Sequence, residues 1–212
     1  MNQKVMIALP KGRLLDAARA LLANAGLRAK DGEDGSRKLV TADASGRFEF
    51  VSLKPGDIPV YVESGAIDAG IVGTDVLREL ESDVYEPVDL RIGLCSLVVA
   101  APDGASFRPG EMLRIATKYP RTAERHFRAK HAHVHIVKLD GSVEIAPLLG
   151  LADAIVDLVE TGRTLRENGM SVVEEVSRVS AKFIVNRTAM KMKPVEINHV
   201  IGELDRVVYE NR

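Results

Sequence analysis

The sequence has a single cysteine, no tryptophan, an aromatic share of only 4% and a formal net charge of -1 over 212 residues. Lone Cys95 excludes an internal disulfide. Its neighbours Leu94, Leu97, Val98 and Val99 mark it as an inert core thiol rather than a nucleophile. Without a charge imbalance, no global field draws the chain to nucleic acid or to an anionic membrane, so neither is an expected partner and any polyanion must be met by a local site. No apolar run is long enough for a membrane span. The first one, Val5-Met6-Ile7-Ala8-Leu9, is stopped by Pro10-Lys11-Gly12-Arg13 and is too short for a secretory signal. Cytoplasmic residence and a small-molecule partner are the resulting expectations.

What is present is an ordinary α/β composition, 46% hydrophobic and 28% charged, in a chain long enough for one large domain or two small lobes. Strands and helices alternate, which predicts a largely parallel sheet with helices packed on it. Lys4 to Leu9 reads as a buried strand, followed by an amphipathic helix through Leu14, Ala18, Leu21, Leu22 and Ala25 that Gly26 closes. Phe48 to Leu53 is a strand, Pro55 opens a helix through Ser64, and Ile67 to Val72 is a strand leading through Gly73-Thr74 into a helix. Leu90 to Ala101 reads as one extended strand. Thereafter come strand 113–117, helix 120–130, strand 133–139, helix 142–149, strand 153–159 and a second extended run, 172–185. A final helix from Pro194 carries Ile197, Val200, Ile201, Leu204, Val207 and Val208 on one stripe. If the strands around residues 95 and 183 run side by side, the chain enters and leaves a second lobe there. Lobe I is then 1–93 plus 184–212, and lobe II is 94–183.

The most informative stretch is Asp153-Ala154-Ile155-Val156-Asp157-Leu158-Val159-Glu160-Thr161-Gly162-Arg163-Thr164. An apolar strand bearing two carboxylates runs straight into a Thr-Gly-x-Thr turn at a helix start. Unpaired backbone N–H groups there, with two hydroxyls, suit a phosphate monoester, and Gly162 lets the oxygens approach the backbone. Asp153 and Asp157, four apart on a regular strand, would share a face and could accept hydrogen bonds from ribose hydroxyls or hold a Mg²⁺-bound water. The ensemble suits a ribose 5-phosphate. The alternation His131, His133, His135 reads as an exposed strand face rather than a metal site, for want of a third ligand.

The run Asp140-Gly141-Ser142-Val143-Glu144, followed by Gly150 to Asp157 and by Thr161-Gly162-Arg163-Thr164-Leu165, resembles the signature of the ATP phosphoribosyltransferases. Ala8-Leu9-Pro10-Lys11-Gly12-Arg13-Leu14 and Asp57-Ile58-Pro59-Val60-Tyr61-Val62 with Gly65, Asp68, Gly70, Gly73 and Asp75 extend the resemblance through most of the chain. It implies a two-lobed α/β fold like type II periplasmic solute-binding proteins, with a substrate cleft between the lobes. The implied reaction is attack of adenine N1 of ATP on phosphoribosyl pyrophosphate to give N1-(5-phosphoribosyl)-ATP and pyrophosphate, the first step of histidine biosynthesis. Phosphoribosyl pyrophosphate would then be held by Asp153, Ala154, Asp157, Glu160, Thr161, Gly162, Arg163 and Thr164, and ATP by Lys11, Arg13, Gly73 and Thr74. Glu144 and Asp157 would face Mg²⁺. Arg37 and Lys54 would be the catalytic cations at the leaving pyrophosphate, where charge develops. Many relatives have Arg in place of Lys54. Ending after one helix, the chain resembles the short form, which implies a homodimer alone and a hetero-octamer with a regulatory subunit related to histidyl-tRNA synthetase. A solute-binding module and another phosphoribosyltransferase are the competing readings. The missing export signal opposes the first, and the blocks before residue 76 oppose the second.

Overall fold

The computed structural model describes residues 4–28, 40–108 and 110–210. The chain divides into two compact units, one running through Gly93 and resuming at Ser180, the other spanning Leu94–Val179. Each is an α/β layer structure built on its own mixed sheet.

In the first unit the sheet order is β2-β3-β1-β4-β11-β5, from β1 (Val5–Pro10), β2 (Val40–Ala42), β3 (Phe48–Leu53), β4 (Ala69–Gly73), β5 (Tyr85–Asp89) and β11 (Ala181–Val185). Strands β3, β1 and β4 run parallel, and β11 is antiparallel to both β4 and β5. Helices α1 (Leu15–Asn24) and α8 (Pro194–Glu210) cover one face, where Leu21, Leu22, Ile197, Val200 and Leu204 join Ile7, Phe48 and Phe183 in one core. On the opposite face α2 (Ile58–Glu63) and α3 (Thr74–Leu80) pack Ile58, Val62 and Leu77 on Ala8, Val72 and Ile184. Because both faces are covered, β1 and β4 read as unbroken apolar runs rather than alternating ones.

The second unit has the order β10-β6-β9-β7-β8, from β6 (Cys95–Pro102), β7 (Leu113–Thr117), β8 (Val134–Lys138), β9 (Ala154–Val159) and β10 (Met170–Val179). Strands β9, β7 and β8 are parallel; β6 is antiparallel to β9 and β10. Helix α4 (Pro120–Ala129) covers one face through Ala123 and Phe127. The short α5 (Ile145–Leu148) and α6 (Arg163–Glu167) cover the other through Ala146 and Leu165.

Several sequence expectations are corrected. The strand expected over 90–101 begins only at Cys95, as β6, because Arg91 and Gly93 take positive φ of 53° and 62° and turn the chain after β5 has ended at Asp89. A Cβ on Gly93 would lie 2.1 Å from Leu14 Cδ2. The run 172–185 is likewise interrupted at Ser180. Residue 95 is therefore paired not with residue 183 but with Val179, while Phe183 pairs with Ile71 and Val88. The return to the first unit accordingly falls at Ser180 rather than at 184. Finally, α2 starts at Ile58, since Pro55 to Asp57 form a turn that closes with the Asp57 N–H donating to the Lys54 carbonyl at 2.9 Å. Sequence reasoning missed α7 (Arg187–Met192), which Asn186 caps by accepting the Thr188 and Ala189 N–H groups, each at 2.9 Å.

Close backbone packing at β4 gives a stability test. A Cβ at Gly70 would meet Ile58 Cγ2 at 2.7 Å and Ala8 Cβ at 3.2 Å, whereas one at Gly202, in α8, meets nothing. Gly70→Ala should lower unfolding stability by about 1–3 kcal/mol, and Gly202→Ala should raise it by about 0.5–1 kcal/mol. Urea denaturation of the two variants checks both signs.

Candidate functional site

Since β7, β8 and β9 are parallel, their carboxyl ends leave the sheet along one edge, the place where open α/β sheets present ligand-binding loops. Three segments emerge there: Lys118 after β7, Leu139 to Glu144 after β8, and Glu160 to Thr164 after β9. Thr117 ties the edge together. Its hydroxyl donates to the Val156 carbonyl at 2.6 Å and accepts the Tyr119 N–H at 2.9 Å, and its own carbonyl accepts the Leu139 N–H at 3.0 Å.

Gly162 sits at the start of α6 with φ of 69°, a left-handed conformation that favours glycine. The Thr161 hydroxyl accepts the Arg163 N–H at 3.4 Å, and the Arg166 guanidinium donates to the Thr161 carbonyl at 3.1 Å. Arg166, which sequence reasoning overlooked, thus braces the turn from its carbonyl side. Arg163 is turned to Glu167 at 2.7 Å and is largely exposed, as are Glu160, Thr161 and Thr164. With only five residues, α6 contributes little macrodipole, so the anion-attracting groups are the local N–H groups of its first turn, which have no intrahelical acceptor.

Asp157, half-buried on β9, lies beside this turn. Burial pushes its carboxyl above the usual carboxylate range. The Leu158 N–H, 2.8 Å from Oδ1, opposes that shift, the Glu144 charge adds to it and the Lys118 ammonium opposes it. Glu144 occupies the N-cap position of α5 without spending its side chain on a cap. The structure therefore gathers Asp157, Glu144 and Lys118 next to the 160–164 turn. Lys118 had gone unnoticed because an isolated lysine after a strand carries no motif. Two carboxylates suit a Mg²⁺ that arrives with substrate phosphates, since that ion commonly takes one or two protein carboxylates. Among the described residues no group of three or more His, Cys, Asp or Glu side chains is assembled for a metal.

Asp153 and Ala154 stand apart from this group. Both lie at the amino end of β9, with Asp153 about 13 Å along the strand from Asp157 at ~3.3 Å per residue. The Asp153 carboxylate is held by Arg114: Oδ1 accepts from Nη2 at 2.6 Å, and Oδ2 accepts from the backbone N–H at 2.8 Å and from Nε at 3.2 Å. Hydrogen bonds from Arg114 hold the Asp153 carboxyl below the usual range. Ala154 is fully buried in the core beneath α4. Asp153 and Asp157 thus do not work as a pair; Asp153 anchors β9 to β7.

In the first unit, the carboxyl ends of parallel β3, β1 and β4 likewise share an edge. Lys54, then Lys11 with Arg13, then Gly73 with Thr74 follow these neighbouring strands. The Lys11 N–H donates to the Leu53 carbonyl at 2.7 Å, and Gly12 turns the chain with φ of 86°. The Thr74 N–H, however, donates to the Ser180 carbonyl at 2.9 Å, and its hydroxyl accepts the Ser180 N–H at 3.3 Å. Thr74 therefore has no backbone donor left for a ligand. Gly73 is dictated by the Asp75 carboxylate, which would stand 2.0 Å from a Cβ there. Arg37 lies outside the described residues. His133 and His135 are exposed on and beside β8, and His131 turns the chain with φ of 56°.

The anchoring role of Asp153 has a pH signature. Its folded-state pKa is depressed, so its contribution is present above the unfolded value near 3.8 and is lost as pH falls through the folded one. Asp153→Asn should cost about 0.5–1 kcal/mol at pH 7, discounted for the exposure of the pair. Denaturation as a function of pH should show that gap closing below about pH 4.

The profile of the family described as HisG, ATP phosphoribosyltransferase, matches residues 54–206. An ATP phosphoribosyltransferase of Thermoanaerobacter sp. (strain X514) is 48% identical over 206 residues, covering 97% of each chain. One from Anaeromyxobacter dehalogenans (strain 2CP-1) is 46% identical over 211 residues, covering 99% of this chain and 96% of its own. Among solved structures, the ATP phosphoribosyl transferase (HisG:HisZ) complex from Thermotoga maritima contains a chain that superposes with a TM-score of 0.85 at 32% identity, covering 97% of this chain and 99% of that one. The periplasmic aliphatic sulphonate binding protein SsuA of Escherichia coli matches at a TM-score of 0.62 and 11% identity, covering 97% of this chain and 72% of its own, which shows the two-lobed solute-binding-protein fold alone. With a matched profile across most of its length and relatives near half identity end to end, the chain belongs to the ATP phosphoribosyltransferase family.

Proposed function

We propose that this chain, a cytoplasmic enzyme, joins ATP to phosphoribosyl pyrophosphate, and that the 160–164 turn with Asp157 and Glu144 is where the phosphoribosyl group sits. The reaction is the one its family name denotes and opens histidine biosynthesis. The observation that carries the site is the Gly162 turn, with its positive φ, at the carboxyl end of a strand whose Asp157 is half-buried beside Glu144.

In this reading the first-turn N–H groups and the Thr161 and Thr164 hydroxyls take the 5-phosphate, with Arg163 and Glu160 at the rim and Arg166 bracing the turn. Asp157 and Glu144 accept hydrogen bonds from the ribose hydroxyls. Asp153 and Ala154 keep β9 in place. The adenine N1 lone pair forms the bond to the anomeric carbon while the bond to the pyrophosphate oxygen breaks and its electron pair leaves with that oxygen. No nucleophilic side chain is required. Mg²⁺, held by the substrate phosphates with Asp157 or Glu144, would offset charge on the pyrophosphate. ATP is assigned to Lys11 and Arg13 with Gly73 of the first unit, and Lys54, with Arg37, to the leaving pyrophosphate. The 97% match to relatives of similar length supports the short form, and the Thermotoga complex supports a regulatory partner of the HisZ kind in a hetero-octamer, with a homodimer when the chain is alone.

Steady-state formation of phosphoribosyl-ATP, followed by its ultraviolet absorbance with and without the regulatory subunit, tests the assignment. Asp157→Asn should lower kcat/KM for phosphoribosyl pyrophosphate about 10- to 100-fold, the loss expected for one hydrogen bond involving a charged group. The KM for ATP should stay within about twofold. Unchanged kinetics, or equal losses for both substrates, would remove Asp157 from the sugar site.

A further inference from the structure

Strand β7 ends at Thr117, which pairs in register with Val156 of β9, so Lys118 emerges alongside Asp157. The face is fixed by the alternation around it. Ile115 and Tyr119 are buried beneath α4, and Ala116 and Ile155 pack on the opposite side with α5 and α6. Lys118 and Asp157, each two residues beyond that second pair, fall on the same side as α5. The Lys118 and Glu144 charges both act on Asp157, although Lys118 makes no ion pair among the described residues and is exposed. An exposed lysine at a rim, close enough to act on Asp157 yet not spent in an ion pair, keeps its ammonium available to an incoming anion.

The parts of the donor can then be matched to what each segment offers. Backbone N–H groups and hydroxyls at 161–164 suit the 5-phosphate, and the acceptor-only carboxylates suit the hydroxyls. Lys118 stands one strand over from β9, about 4.8 Å away, and thus beside the carboxylates rather than on the phosphate turn. The one anionic portion of the donor left without a cation from this unit is the diphosphate at the anomeric carbon.

We infer that Lys118 binds the anomeric diphosphate of the phosphoribosyl donor, as a cation supplied by the same unit that holds the sugar phosphate. This inference rests on the sugar-phosphate reading of the 160–164 turn. Lys118 thereby retains the pyrophosphate as it leaves, and the strand that positions it is the one that Thr117 fastens to β9.

Calorimetric titration of the purified chain in Mg²⁺ buffer with inorganic pyrophosphate and, separately, ribose 5-phosphate tests this. Lys118→Met should weaken pyrophosphate binding about tenfold or more, leave ribose 5-phosphate within about twofold, and keep the thermal unfolding temperature of the parent; Lys118→Arg should retain pyrophosphate. Unchanged pyrophosphate binding in Lys118→Met overturns the inference. So does a loss confined to ribose 5-phosphate, which would make the lysine a counter-charge for Asp157. Gly162→Ala reports on the underlying reading separately: it should weaken ribose 5-phosphate, and if it does not, the sugar-phosphate site is wrong whatever Lys118 does.

Discussion

Parallel strands deliver their following loops to one edge of a sheet, and in the second unit that constraint decides where chemistry can occur. Strands β7, β8 and β9 share a direction, so Lys118, Glu144 and the Gly162 turn come together although they are separated by up to 44 residues of sequence between 118 and 162. The hydrogen bonds of Thr117 fix β7 against β9 at that edge. At the far edge, the Arg114 clamp on Asp153 does the same for the other end of β9. A strand pinned at both ends can hold a half-buried carboxylate at a set distance from a phosphate-sized turn.

The first unit repeats the device with a different set of groups. Its parallel strands β3, β1 and β4 bring Lys54, Lys11, Arg13 and Gly73 to one carboxyl edge. Basic side chains dominate that edge, in keeping with a polyphosphate ligand, while the second unit combines backbone donors with carboxylates, in keeping with a sugar phosphate. The solute-binding-protein fold by itself specifies neither chemistry.

Much of this was legible in the sequence because the signals were local. Gly162 within Thr-Gly-x-Thr, the apolar run of β9, and the stripe of α8 each follow from short-range periodicity or from a backbone requirement. What could not be read was long-range. Asp153 and Asp157 look equivalent as a four-residue repeat, yet Arg114, 39 residues away, claims one and leaves the other. Thr74 looks like an open backbone donor until the carbonyl of Ser180, 106 residues on, accepts its N–H and the Ser180 N–H donates to its hydroxyl. Lys118 matters only through the register of β7 on β9, which no window of sequence contains. The absence of strand at 90–94 was hidden for a related reason: Leu90, Ile92 and Leu94 continue the apolar pattern, and the positive φ of Arg91 and Gly93 is what keeps the strand from starting before Cys95.

The central claim is that backbone groups around Gly162 grip a sugar phosphate whose hydroxyls meet Asp157 and Glu144. Amide chemical shifts of the ¹⁵N-labelled chain, followed as ribose 5-phosphate is added, address it most directly. The account predicts saturable shifts at residues 161–165, with smaller ones at 157 and 144 and none at Asp153 or Arg114. Shifts centred on the Arg114–Asp153 edge, with the Gly162 amide unmoved, would contradict it.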